Sequence, residues 1–159
     1  LGGLTVQLDR DEIVLGERET VRDAAAVLSR YADGIMIRTS SQAVVDELAH
    51  HATIPVINGL TDDEHPCQAL ADVMTIAERL GTLEGKRVAY FGDGNNVCTS
   101  LMVASTLLGA SFVAASPPGY EPGAAALDLA RSHAQFSANS RPTSRRNVEI
   151  DRADSNCRR

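Results

Sequence analysis

The sequence predicts an α/β fold: parallel sheets with crossover helices, divided over parts of two domains. Three observations predict it. Short β-branched and apolar runs alternate along the chain with runs of helical apolar period. A glycine- and asparagine-rich turn follows the clearest of the strand-like runs. Proline and glycine stand where helices begin and end. We read 1–65 as part of one domain, 66–82 as an inter-domain helix, 83–133 as part of a second domain, and 134–159 as an irregular Ser/Arg-rich tail.

Taken in order, 4–8 alternates apolar and polar residues and reads as a strand. Residues 20–31 read as a helix, with Thr20 as N-cap and Asp23 three positions on, a variant of the capping box. Gly34-Ile35-Met36-Ile37 is a short buried strand ending at Arg38. Residues 42–50 are helical, with Val44, Val45 and Leu48 on one side, and 54–57 form the next strand, which runs into Asn58-Gly59. A helix over 66–80 starts on Pro66 and is closed by Gly81. Residues 87–91 form a strand, 92–95 a tight turn, and 96–108 a helix ending at Gly109. The strand 111–115 and the turn Pro117-Pro118-Gly119 follow, and 124–131 starts a further helix.

After about His133 the apolar period stops. Composition alone makes 134–159 a solvated tail. The chain also has one lysine, Lys86, against 14 arginines, the usage of a GC-rich gene. Such a gene read out of frame yields Arg, Ser, Pro and Ala, so the sharper expectation is that the tail is not the native continuation. The chain opens on Leu1 rather than Met, which leads us to expect an upstream segment.

Composition narrows the function. With 43% hydrophobic and 23% charged residues, this is a globular chain rather than a disordered one. No apolar run approaches the roughly 20 residues that span a bilayer, so we expect no membrane partner. Residues 131–159 hold seven arginines and three acids, which leaves −10 of charge on the first 130. An acidic body argues against nucleic acid as the main partner. Cys67, Cys98 and Cys157 are too scattered for a disulfide framework or a zinc site, and fit reduced thiols in a cytoplasm.

Three short segments carry chemistry. In His65-Pro66-Cys67-Gln68, Pro66 sets a helix start, whose free N–H groups and positive dipole end favour an anion or a carbonyl oxygen. His65 and Gln68 flank it; both donate hydrogen bonds, and Gln68 also accepts from an amide NH2. Read by itself, a histidine beside a proline is a surface loop residue. Arg38 stands at the carboxyl end of a strand, the edge where open α/β sheets bind ligands; there it either grips a phosphate or carbonyl or is a solvated charge. Gly92-Asp93-Gly94-Asn95-Asn96 follows a strand like a dinucleotide turn, but Val97 stands where the third glycine belongs. Asn95 and Asn96 suit an amino-acid carboxylate or ammonium better than a pyrophosphate, because each amide both donates and accepts.

Together these segments resemble a family. The run from Asn58-Gly59-Leu60-Thr61 through His65-Pro66-Cys67-Gln68 to Asp72 is similar to the carbamoyl-phosphate motif of the aspartate/ornithine carbamoyltransferases. Ile37-Arg38-Thr39 resembles that family's other carbamoyl-phosphate arginine. Gly92 through Val97, with Ser100 and Leu101, and Pro117-Pro118-Gly119-Tyr120-Glu121-Pro122 resemble its ornithine branch. The resemblance covers about residues 1–130 and implies two α/β domains, a homotrimer, and carbamoyl transfer from carbamoyl phosphate to L-ornithine in arginine metabolism, giving citrulline and phosphate. It implies that Arg38 and His65 polarise the carbonyl oxygen, that Gln68 holds the carbamoyl NH2, and that Asn96, with Asn95 second, binds ornithine. Leu15-Gly16-Glu17-Arg18-Glu19 looks like the loop that reaches a neighbouring subunit's site.

Carbamoyl phosphate is a mixed anhydride, so the reaction needs no metal, cofactor or covalent nucleophile. The family's Ser-Thr-Arg-Thr loop belongs just before Leu1, and its Asp-x-Trp-x-Ser-Met-Gly and His-Cys-Leu-Pro motifs belong beyond the tail. The resemblance therefore implies a piece of the enzyme, inactive by itself. The alternatives are another transcarbamoylase such as the aspartate enzyme, a non-catalytic remnant that only associates with subunits, and a nucleotide-dependent oxidoreductase.

Overall fold

The computed structural model describes residues 2–9, 12–139 and 148–152. The chain divides into two compact units, Leu1–Asn58 and Gly59–Arg159.

In the first unit, α1 (Val21–Leu28) begins where the sequence places it: the Thr20 hydroxyl accepts from the Asp23 N–H at 3.1 Å. α2 (Gln42–His51) is capped the same way by Ser41. β1 (Ile35–Arg38) pairs with β2 (Val56–Leu60), and α2 connects them. Val21, Ala25 and Leu48 form the buried centre, with Ile35, Ile37, Val44 and Val56 packed against it. β1 is therefore buried on one face only. Ile35 and Ile37 turn inward while Met36 is 64% exposed, so the strand expected to be buried is covered on one side. Residues 4–8 are not a strand: Leu4, Val6 and Leu8 are exposed, and no strand pairs with them among the described residues. Alternation makes a strand only where a neighbour supplies the ladder.

In the second unit, α3 (Pro66–Leu80) has the bounds that Pro66 and Gly81 dictate. Gly81 takes a left-handed φ of 79° and donates to the Ala77 carbonyl, closing the helix. β3 (Arg87–Phe91), β4 (Ser111–Ser116) and β5 (Val148–Arg152) form a parallel sheet in the order β3-β4-β5, joined by α4 (Asn96–Leu107) and α5 (Ala124–Asn139). The core lies between β4 and the helices: Phe112 and Ala114 meet Cys98 and Met102 of α4 and Leu127 and Ala130 of α5. Phe112 is fully buried, worth about 1.5–3 kcal/mol for a side chain of its size. A second cluster packs Val73 of α3 against Leu83 and Ala110, with Leu101 and Ala104 of α4.

Two expectations about boundaries change here. The units divide between Asn58 and Gly59 rather than at 65, and α3 belongs to the second unit because its Ala69–Val73 face is buried there. The irregular tail was expected from 134, but α5 continues to Asn139 and Val148–Arg152 pairs in register with β4, Phe112 opposite Val148 and Ser116 opposite Arg152. The pairing edge of β4 gives Val148–Arg152 a ladder that composition does not reveal. Among the described residues, no helix is long and apolar enough to cross a membrane.

Candidate active site

The start of α3 is built unlike those of α1, α2 and α4. α1, α2 and α4 are each capped by a side chain, from Thr20, Ser41 and Asn95. At α3 the N-cap is His65, whose side chain caps nothing. The positive end of this helix is thus not neutralised by its own cap. The His65 Nδ1 is buried and makes no hydrogen bond among the described residues. Gln68, on the exposed first turn, donates from Nε2 to Asp72 Oδ1 at 2.9 Å. That bond orients the amide and leaves its oxygen to accept.

The loop entering α3 is held by α4. Thr61, fully buried, donates its N–H to the Glu64 carbonyl at 2.8 Å and accepts the Glu64 N–H on its hydroxyl at 2.9 Å. Asn96 donates from Nδ2 to the Thr61 carbonyl at 2.7 Å. One helical turn on, the Ser100 hydroxyl accepts the His65 N–H at 2.9 Å. The structure thus brings His65 and Asn96 into one hydrogen-bonded assembly, with Gln68 on the first turn of α3.

Asn95 has a different task. Its Oδ1 accepts from the N–H groups of Val97 and Cys98 at 3.1 and 3.2 Å, capping α4, while its Nδ2 remains a donor. The turn before it is closed from above. Gly94 donates to the Tyr120 carbonyl at 2.7 Å, and Gly92 to the Ala115 carbonyl at 3.1 Å. A Cβ on Gly94 would collide with the backbone nitrogen of Pro122 and lie 2.5 Å from the carbonyl carbon of Glu121. The N–H groups of residues 92, 94, 97 and 98 are therefore engaged, and the 117–122 turn lies where a pyrophosphate would approach. This argues against the oxidoreductase alternative on geometry as well as motif. Beneath the turn, burial and then the Asp93 carboxylate push the Cys98 thiol up to about 11. The Tyr90 hydroxyl is also raised, by burial first and then by Cys98 and Asp93.

Arg38 belongs to the first unit. It ends β1, is exposed, and lines a cleft of about 610 Å³ together with Thr39, Ser40, Val14 and Glu17. The segment 15–19 in its wall is a compact turn: Leu15 bridges Glu19, and the Gly16 N–H donates to the Glu19 carbonyl at 2.8 Å.

Sequence reasoning named Thr61 and Ser100 as motif positions but missed the roles of both. Their bonds to α4 and α3 span 35 positions, so no local pattern announces them. The one signal was that Asn96 and Ser100, four apart, share a helix face. The cap at Asn95 was legible as an asparagine directly before a helical run.

Residues 1–78 match the family model described as the aspartate/ornithine carbamoyltransferase carbamoyl-P binding domain, and residues 84–155 match the Asp/Orn binding domain of the same family. An ornithine carbamoyltransferase of Bacillus cereus is 59% identical over 122 residues, which cover 77% of this chain and 39% of that one. The ornithine carbamoyltransferase of Pyrococcus horikoshii is 51% identical over 140 residues, covering 88% of this chain and 44% of its own. The solved ornithine carbamoyltransferase from Pyrococcus furiosus superposes with a TM-score of 0.80 at 48% identity, over 89% of this chain and 43% of that chain. The chain thus spans about two fifths of the length of the curated relatives it matches, 39% in the first case. From its first residues through β5, this chain belongs to the aspartate/ornithine carbamoyltransferase family.

Proposed function

We propose that this segment supplies the carbamoyl-phosphate and ornithine contacts of an ornithine carbamoyltransferase. The observation that carries the reading is the lacing of the α3 start to the α4 start, Asn96 to Thr61 and Ser100 to His65. It joins the two motifs that such an enzyme must hold together.

In the proposed reaction the side-chain amine of L-ornithine attacks the carbamoyl carbon. A C–N bond forms, the C–O bond to phosphate breaks with its electron pair leaving on phosphate, and the amine gives up a proton. Catalysis then consists of juxtaposing two reactants and stabilising charge on the carbonyl oxygen. Arg38 and His65 supply that stabilisation. Gln68, its Nε2 engaged by Asp72, offers Oε1 to the carbamoyl NH2. Asn96, its Nδ2 engaged by Thr61, offers Oδ1 to an ammonium, and Asn95, its Oδ1 engaged in capping, offers Nδ2 to a carboxylate. One acceptor and one donor side by side suit the two charged ends of an amino acid.

The same reading extends to a homotrimer in the cytoplasm, serving citrulline formation in arginine metabolism, without metal or cofactor and without nucleic acid or membrane as partner. It rests on the motif resemblance, and the −10 charge of the first 130 residues supports the exclusion of nucleic acid. A segment with two fifths of its relatives' length is proposed to form no citrulline alone. The test is transfer from labelled carbamoyl phosphate to ornithine or to aspartate, run on the 159-residue chain and on a full-length transferase carrying this segment. Labelled citrulline from the full-length protein only is expected; carbamoyl-aspartate instead, or turnover by the chain alone, would overturn the reading.

A further inference from the structure

We propose that Ser100 is a positioning residue for His65. The inference rests on the reading that His65 polarises the carbamoyl carbonyl, and it adds a residue to that site. His65 stands at the N-cap of α3 with φ −135° and ψ 64°, outside the helical and extended regions, and its side chain makes no capping bond that would fix it. Its carbonyl accepts the Ala69 N–H at 3.2 Å, the first bond of α3, and its N–H is held by another helix, donating to Ser100 Oγ at 2.9 Å. Ser100 is 7% exposed, so water does not readily replace it. One turn earlier on α4, Asn96 holds the Thr61 carbonyl at 2.7 Å. The segment from Thr61 to His65 is thus gripped at both ends by one face of one helix. Pro66 follows directly and restricts the backbone of His65 further. α4, the helix that also carries Asn96, thus fixes the backbone from which the imidazole projects. A group that must meet a developing oxyanion gains rate only when its direction is fixed beforehand, and a misplacement of about 1 Å costs on the order of 10²-fold.

Two measurements test this, one independent of catalysis. In the 159-residue chain, NMR follows the His65 amide proton and its side-chain rotamer couplings. Ser100→Ala is expected to move the amide upfield and average the couplings while α4 and β4 signals stay in place, and Ser100→Thr is expected to restore both. Should the alanine variant fail to fold, Ser100→Cys, which keeps the volume but accepts hydrogen bonds weakly, is judged by the same signals. In a full-length transferase carrying this segment, Ser100→Ala is expected to lower kcat about tenfold or more with the KM for carbamoyl phosphate changed less than about twofold, and threonine to recover the rate. An unmoved His65 amide, or a folded alanine variant with normal kcat, overturns the positioning role. A normal rate for His65→Ala, with the amide displaced as expected, overturns instead the reading of His65 on which the role depends.

Discussion

The side-chain nitrogen of Asn96 donates to the carbonyl oxygen of Thr61 at 2.7 Å, and Thr61 is fully buried. A residue we assign to amino-acid binding therefore also holds the loop that leads into His65. Removing it leaves a buried carbonyl without that partner, a loss of about 1–3 kcal/mol. Asn96→Ala is expected to lower the urea midpoint accordingly, and Asn96→Asp at least as much, because a carboxylate cannot donate to a carbonyl. Midpoints within experimental scatter of the parent would show that the bond contributes nothing.

Asn95 caps α4 through two N–H groups. We expect Asn95→Ala to cost about 1 kcal/mol, as cap removal generally does, and Asn95→Asp to cost little, since aspartate caps equally well. Chemical denaturation of both variants checks this. Equal losses would mean that Nδ2, and not the cap, stabilises the turn.

Gly94 and Gly123 make a controlled pair. A Cβ at 94 meets the backbone of Glu121 and Pro122, whereas one at 123 meets nothing within 4 Å. Gly94→Ala is expected to destabilise by about 2 kcal/mol or more through overpacking, and Gly123→Ala to stay within about 0.5 kcal/mol. Similar melting temperatures for the two variants would contradict the closed turn.

Cys98 and Tyr90 make stability fall at alkaline pH. Both hold their proton more tightly folded than unfolded, because burial disfavours their anions. As pH rises past the unfolded thiol value of 9.0 toward about 11, the unfolded chain ionises first and stability drops, by up to roughly 1.4 kcal/mol per pH unit for one group. Cys98→Ala should flatten the thermal-stability profile over that window. A thiol reagent at neutral pH should modify the exposed Cys67 and spare the buried Cys98.

Much of this was legible in the residues. The bounds of α3 and β3 came out as read, since Pro66 and Gly81 punctuate the helix and Val88 to Phe91 is a compact apolar run. The turn at 92–95 was legible as a turn, and its lack of a third glycine already weakened the dinucleotide reading. What could not be read were relations across the chain. Residues 4–8 carry a strand's alternation without a pairing neighbour among the described residues, whereas Val148–Arg152 carries little pattern and gains a ladder from β4. Motif similarity pointed to His65 and Asn96 separately; that hydrogen bonds from one face of α4 hold both the loop and His65 is a tertiary fact.

Arg38 and His65 are assigned to one carbonyl oxygen, and the proposed chemistry depends on that assignment more than on any other. Steady-state citrulline formation by Arg38→Ala and His65→Ala in a full-length transferase carrying this segment tests it directly. Loss of an oxyanion donor typically costs about 10²–10³ in rate, so each variant is expected to lose at least about tenfold in kcat. Near-parent rates in both would contradict it.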